Sequence, residues 1–167
     1  AAKCLASRYR PVGHRLAIVT NGGGPGVLAA DWVNEIGLEL GKLSPESVKS
    51  LTPLLTSQAS LADLIDLSEE ATAEHYKLAI ETAGNDRQID GVLAIYSPKE
   101  GVNASEVAQA LAEVKRSMGK PLLSCWMGDA SVVAGRGILS EATIPTFRTP
   151  EAAVGAREVF GLALLGG

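Results

Sequence analysis

Four glycines fall within six residues at Asn21-Gly22-Gly23-Gly24-Pro25-Gly26, directly after the apolar run Leu16-Ala17-Ile18-Val19-Thr20. Glycine has no Cβ, so it admits sharp turns and lets the backbone come close to a ligand. Where such a loop opens a helix, free N–H groups and the positive end of the helix dipole together favour an anion. In a reaction, amides aimed at developing negative charge would stabilise that charge. The candidate anion-binding residues of this loop are Asn21, Gly22, Gly23, Gly24 and Gly26. A second loop, Ser97 to Asn103, follows the apolar run Gly91-Val92-Leu93-Ala94-Ile95-Tyr96 and begins with a hydroxyl, Ser97.

Other chemistries lack their residues. Gly24-Pro25-Gly26-Val27-Leu28-Ala29 has the spacing of the dinucleotide fingerprint G-x-G-x-x-A. That reading also needs an acidic residue at the end of the second strand, where this chain has Lys42. No G-x-x-x-x-G-K-[ST] phosphate loop exists, and Tyr96-Ser97 offers no aspartate as a phosphoryl acceptor. His14, before the first strand, and His75, near a helix start, read as exposed structural residues. Glu69-Glu70 and Asp129 read as solvated turns and helix N-termini. Tyr96 and Trp126 end central strands and read as core. No Ser/His/Asp or Cys/His set can be assembled around a nucleophile, so no complete active site is expected, and no catalytic residue is assigned. Cys4 and Cys125 are far apart and outside any C-x-x-C pair, so no metal or redox site is expected; Cys125 reads as core.

The elements that must position the two loops alternate. Strands are expected at residues 16–20, 38–43, 91–96, 121–126 and 144–147. Helices are expected from Pro25 toward Gly37, from Ser44-Pro45 toward Leu54, and over 72–84, 104–118, 129–142 and 150–164. Gly37 suits a left-handed helix end, and Ser44-Pro45 supplies an N-cap followed by a first-turn proline. Residues 56–70 read as loop with at most a turn of helix. Strands that alternate with helices pair in parallel through right-handed crossovers. The fold class is therefore α/β, a flavodoxin-like doubly wound sheet of five parallel strands in the order 2-1-3-4-5. In such sheets a ligand lies beyond the strand ends where the order reverses, here between strands one and three.

The 167 residues form one domain, 13–167, after a linker, 1–12, from a preceding domain. A start without Met and an end on Gly166-Gly167 predict a segment of a longer chain. A net charge of −4 and a pI near 5.2 give no basic field for nucleic acid. No apolar run is long enough to span a bilayer, and a cytoplasmic location is expected.

These residues resemble a family. Arg15-Leu-Ala-Ile-Val-Thr-Asn-Gly-Gly-Gly-Pro-Gly-Val-Leu-Ala-Ala-Asp31 is similar to the opening of the third α/β segment of NDP-forming acyl-CoA synthetases. These include ADP-forming acetate–CoA ligases and the related bacterial protein lysine acyltransferases. The likeness continues through Leu43 to Glu46, Ile65-Asp66-Leu67, Ala71-Thr72, Gly91 to Pro98, Trp126-Met127-Gly128 and Ile144 to Glu151, and so covers nearly the whole chain. The segment is also similar to the carboxy-terminal domain of the succinyl-CoA synthetase β-subunit.

The resemblance implies a domain that cooperates with CoA-binding and ATP-grasp domains or subunits. The complete enzyme would use CoA, ATP or ADP with Mg, and a small carboxylic acid. It also implies a homo- or hetero-oligomer. This chain would bind no cofactor tightly and would be inactive alone. The family's phosphohistidine lies in a Ser-His-Thr-Gly context that neither His14 nor His75 matches. What carries over is support: Gly23, Gly24 and Gly26 would steady the phosphorylated histidine or acyl phosphate, and Ser97 would help contact the acyl group. Two departures stand out. Asp63-Leu64-Ile65-Asp66 replaces the commoner Asn-Pro-Val-Asp, and Lys99 stands where relatives often have a small or neutral residue. Two alternatives remain open at this point: a non-catalytic regulatory scaffold of a lysine acyltransferase, and a free-standing flavin or dinucleotide binder.

Overall fold

The structure is a computed structural model that describes residues 15–99, 103–128 and 133–155. The linker 1–12, Cys4, His14, Asp129 and the last helix beyond Gly155 lie outside the described residues. So do 100–102 of the second loop.

The chain runs β1 (Arg15–Thr20), α1 (Gly23–Glu35), β2 (Glu39–Leu40), α2 (Pro45–Leu51), a 3-10 turn (Thr52–Leu54) and β3 (Ile65–Asp66). It continues with α3 (Ala73–Gly84), β4 (Gly91–Tyr96), α4 (Ala104–Ser117), β5 (Leu122–Trp126), α5 (Val133–Glu141), β6 (Thr146–Phe147) and α6 (Pro150–Gly155). The sheet order is β2-β1-β4-β5-β6, with every pair parallel. With β4, β5 and β6 as the third, fourth and fifth expected strands, this is the order read from the sequence.

One strand was not expected. Ile65–Asp66, within the stretch read as loop, is β3, which pairs parallel with Val19 and Thr20 at the far end of β1. The second expected strand is shorter than 38–43: only Glu39–Leu40 forms β2, against Arg15 and Leu16. The Gly41 amide adds one further bond, to the Leu16 carbonyl at 2.8 Å. The two corrections have one cause. β2 leaves β1 after its first half, and β3 occupies the edge that β2 vacates. A two-residue strand is too short to show the period-2 pattern by which strands are read.

The core sits on both faces of the sheet, because successive strand side chains point to opposite sides. Leu16, Ile18, Leu93, Ile95, Leu123 and Cys125 pack on one side with Ala29 and Val33 of α1 and Ala153 and Val154 of α6. Ala17, Val19, Val92, Ala94, Tyr96 and Trp126 pack on the other with α3, α4 and Leu139 of α5. Tyr96 and Trp126 are buried and stacked with centroids 4.6 Å apart, and Tyr76 donates to the Ile95 carbonyl at 2.7 Å. Burial pushes the Cys125 thiol up to about 12, which leaves it protonated and inert.

Candidate functional site

The glycine loop lies at the carboxyl end of β1, beside β4, which is the point where the strand order reverses. Gly22 is the N-cap of α1, with φ −141° and ψ 128°, and gives the helix no side-chain cap. The first turn of α1 also contains no acidic residue. A helix start normally leaves amides that need a partner. Here the Gly22 amide is taken, because it donates to Thr20 Oγ1 at 3.0 Å while that hydroxyl donates to the Gly22 carbonyl at 2.8 Å. The Gly26 amide closes the first turn onto the Gly22 carbonyl at 3.4 Å. Pro25 has no N–H. The amides of Gly23 and Gly24 remain, exposed and without a hydrogen bond among the described residues. Two bare amides at the positive end of a thirteen-residue helix are a place for anionic oxygen.

The glycines differ in what they need. None of Gly22, Gly23, Gly24 and Gly26 has a positive φ. The sharp turn expected of them is built from ordinary extended and helical backbone. At Gly26, a Cβ would stand 2.9 Å from both Leu64 Cδ1 and Thr20 Cγ2, so a side chain there would force these neighbours to shift. At Gly24 a Cβ would meet nothing within 4 Å. The fold makes no demand for glycine there.

Asn21 is fully buried, and both its polar atoms are engaged across the switch point. Its Nδ2 donates to the Ser97 carbonyl at 2.8 Å, and its Oδ1 accepts from the Ser97 amide at 2.9 Å. The two loops singled out from the sequence are thus joined side chain to main chain. The Ser97 hydroxyl lies 3.8 Å from Met127 Sδ, a weak acceptor, and 3.6 Å from where a Cβ on Gly22 would sit. Lys99 is neither free nor fully solvated: its Nζ pairs with Glu69 Oε1 at 3.2 Å, which ties the second loop to the turn before α3.

The sequence reading missed one neighbour. Asp66, at the end of β3, places Oδ2 3.7 Å from where a Cβ on Gly23 would lie, while its Oδ1 accepts from the Ser68 amide at 3.0 Å. A cleft of about 630 Å³ runs from Gly23 along α1 to Asp63 and Lys42, which pair at 3.1 Å across it. The aspartate two residues before Ser68 is the signature of a side-chain-to-amide turn, and was the available clue. His75 is structural as expected, accepting from the Thr72 amide at 2.9 Å through Nδ1. Beyond the next strand, Arg136 Nη2 donates to the carbonyls of Trp126 and Gly128 at 2.9 and 2.8 Å and so fixes the turn after β5. Among the described residues no group of three or more His, Cys, Asp and Glu could hold a metal ion.

No family model matches the chain. It is similar over 94% of its length, at 32% identity, to acetate–CoA ligase [ADP-forming] I of Archaeoglobus fulgidus, spanning 22% of that protein. It is 32% identical to the alpha subunit of acetate–CoA ligase [ADP-forming] II of Pyrococcus furiosus, covering 84% of the chain and 32% of the subunit. Among solved structures, PH0766 from Pyrococcus horikoshii superposes with a TM-score of 0.83 at 27% identity, over 89% of this chain and 35% of that one. An acetyl-coenzyme A synthetase of Candidatus Korarchaeum cryptofilum, solved in complex with phosphate and ADP, superposes at 0.82 and 26% identity, over 90% of this chain and 33% of its own. The chain therefore spans roughly a fifth to a third of the length of the curated relatives it matches.

Proposed function

We propose that this chain serves as a domain of an ADP-forming acyl-CoA synthetase, which makes acyl-CoA, ADP and phosphate from an acid, CoA and ATP. In this reading its part is to stabilise a phosphoryl group in transit, either on a histidine of another domain or on the acyl phosphate. One observation carries the reading: the bare amides of Gly23 and Gly24 at the switch point of the sheet. Phosphoryl transfer needs little covalent help from the protein and much positioning and charge stabilisation. Two fixed amides and a helix dipole supply both without reorganising as charge shifts. The likeness to acetate–CoA ligases, and the phosphate and ADP held by one solved relative, support the same assignment. CoA-binding and ATP-grasp domains, Mg and a small carboxylic acid would complete the enzyme. No observation favours the regulatory scaffold of a lysine acyltransferase or a free-standing dinucleotide site.

Gly24→Asp in the full-length protein tests the proposal. The new carboxylate meets no neighbour, so the fold should hold. It would sit where the phosphoryl oxygens must come, and like charges in a partly dry site repel strongly. ADP formation dependent on acid, CoA and ATP should fall by roughly 10²-fold or more, the scale of removing one such donor. Phosphohistidine yield should fall with it, at an unchanged thermal midpoint. Normal turnover and phosphorylation would sink the proposal.

A further inference from the structure

Asn21 is a costly residue to bury, and its placement is specific. It is fully buried and its side chain links the first βα loop to the loop after β4, with both bonds going to the main chain of Ser97. An amide can do this because it carries a donor and an acceptor on one rigid plane. A clamp of this type fixes where the Ser97 main chain sits, and therefore where its hydroxyl starts. That hydroxyl comes within 3.6 Å of the position of a Cβ on Gly22, the residue directly before the two bare amides. Its contact is a thioether at 3.8 Å, a weak acceptor that a charged oxygen would displace. Gly22 has an extended backbone at φ −141°, which any residue adopts, so its lack of a side chain is not demanded by conformation.

We infer that Asn21 is a positioning residue that holds the Ser97 hydroxyl beside the amides of Gly23 and Gly24 as a third hydrogen-bond donor to the phosphoryl group. This rests on the anion-binding reading above and refines it. Asn21 does not touch the anion; it acts through Ser97. Gly22 keeps the hydroxyl uncovered, and Thr20, which holds the Gly22 amide and carbonyl on one oxygen, keeps that residue in place.

The test is a double-mutant cycle in the full-length protein, with kcat and KM measured for acetate, CoA and ATP. Ser97→Ala removes the hydroxyl and leaves the clamp, which uses the main chain. Asn21→Ala releases the loop. Each should lower kcat by roughly 10²-fold, as for one donor in an anion site, with the KM for ATP unchanged. The double variant should be no slower than the slower single, because both act through one oxygen. Ser97→Thr, which keeps the hydroxyl, should retain most of the rate. Losses that multiply in the double variant would show that Asn21 acts elsewhere, and a wild-type rate in Ser97→Ala would remove its target. Either result overturns the inference. Should Asn21→Ala not fold, Gly22→Ala takes its place. Its methyl would lie at ordinary contact distance over the hydroxyl and should reproduce the loss at an unchanged thermal midpoint; a wild-type rate there overturns the inference too. Gly24→Asp is run alongside. If it is impaired while the Ser97 variants are normal, the clamp fails and the anion site stands. If it is also normal, both fail.

Discussion

Gly24 and Gly26 lie two residues apart and present opposite cases. Gly26 is there because Leu64 and Thr20 leave no room for a Cβ, and overpacking of a tight contact costs about 1–3 kcal/mol. Gly24 has open space around it and no unusual dihedral, so alanine there should be tolerated and should gain up to roughly 1 kcal/mol from restricting the unfolded chain. Thermal or urea unfolding of Gly26→Ala and Gly24→Ala should therefore shift in opposite directions. Equal destabilisation by both would mean that the loop is merely a tight turn throughout. A glycine where the fold does not ask for one is the more informative of the two, because under the proposed function its reason is access to its amide. The sequence marked both glycines on two grounds, a sharp turn and close backbone approach, and the first applies to neither. Close packing applies at Gly26, and under the proposed function close approach of a ligand applies at Gly24.

At the level of elements, much was legible. Leu16 to Thr20 and Gly91 to Tyr96 are uniformly apolar because helices cover both faces, and such runs announce themselves. The stripe of Val107, Ala110, Leu111 and Val114 on α4 was equally plain; the Asn103 cap on the amides of Ser105 and Glu106 is seen in the structure. What stayed hidden depended on partners distant in the chain. β3 exists because the edge of β1 is open opposite Val19 and Thr20, and nothing within residues 60–67 states that. Asn21 was grouped with the anion-binding residues through its place in the glycine loop; its bonds to Ser97 span 76 positions and have no local signature. Asp66 was missed for the same reason, being carried to Gly23 by a strand that local pattern could not reveal.

Across the whole molecule, charge is organised at the end of the sheet away from the glycine loop. Asp90 is almost fully buried and accepts from the Arg15 amide at 3.0 Å and from its guanidinium at 2.9 and 3.2 Å. Burial alone would raise its pKa, but the Arg15 bonds more than offset this and hold the carboxyl below its usual value. Asp86 behaves alike: burial is outweighed by the amides of Ser44 and Gln88, at 2.7 and 2.9 Å. A carboxyl with a lower pKa folded than unfolded stabilises the fold above its unfolded pKa, about 3.9. That contribution is lost as the pH falls through the folded value. Wild-type thermal midpoints should therefore drop steeply below about pH 4, and Asp90→Asn should be less stable at neutral pH with a flatter acid limb. An unchanged acid limb in that variant would show that the pair does not set the acid response. The divided edge of β1 has a different consequence. The excursion from Gly41 to Leu64 is anchored at each end by a strand of only two residues, whereas β1, β4 and β5 are bonded over five registered pairs at each junction. Amide deuterium uptake should therefore be graded, with Asp66 and Leu67 exchanging through a smaller opening than Val92 to Ile95, which exchange only when the sheet comes apart. Uniform protection across both sets would show that the excursion is not a separate cooperative unit. If the grading holds, the wall carrying Asp66 and Leu64 can detach from Gly23 and Gly26 while the rest of the sheet stays closed.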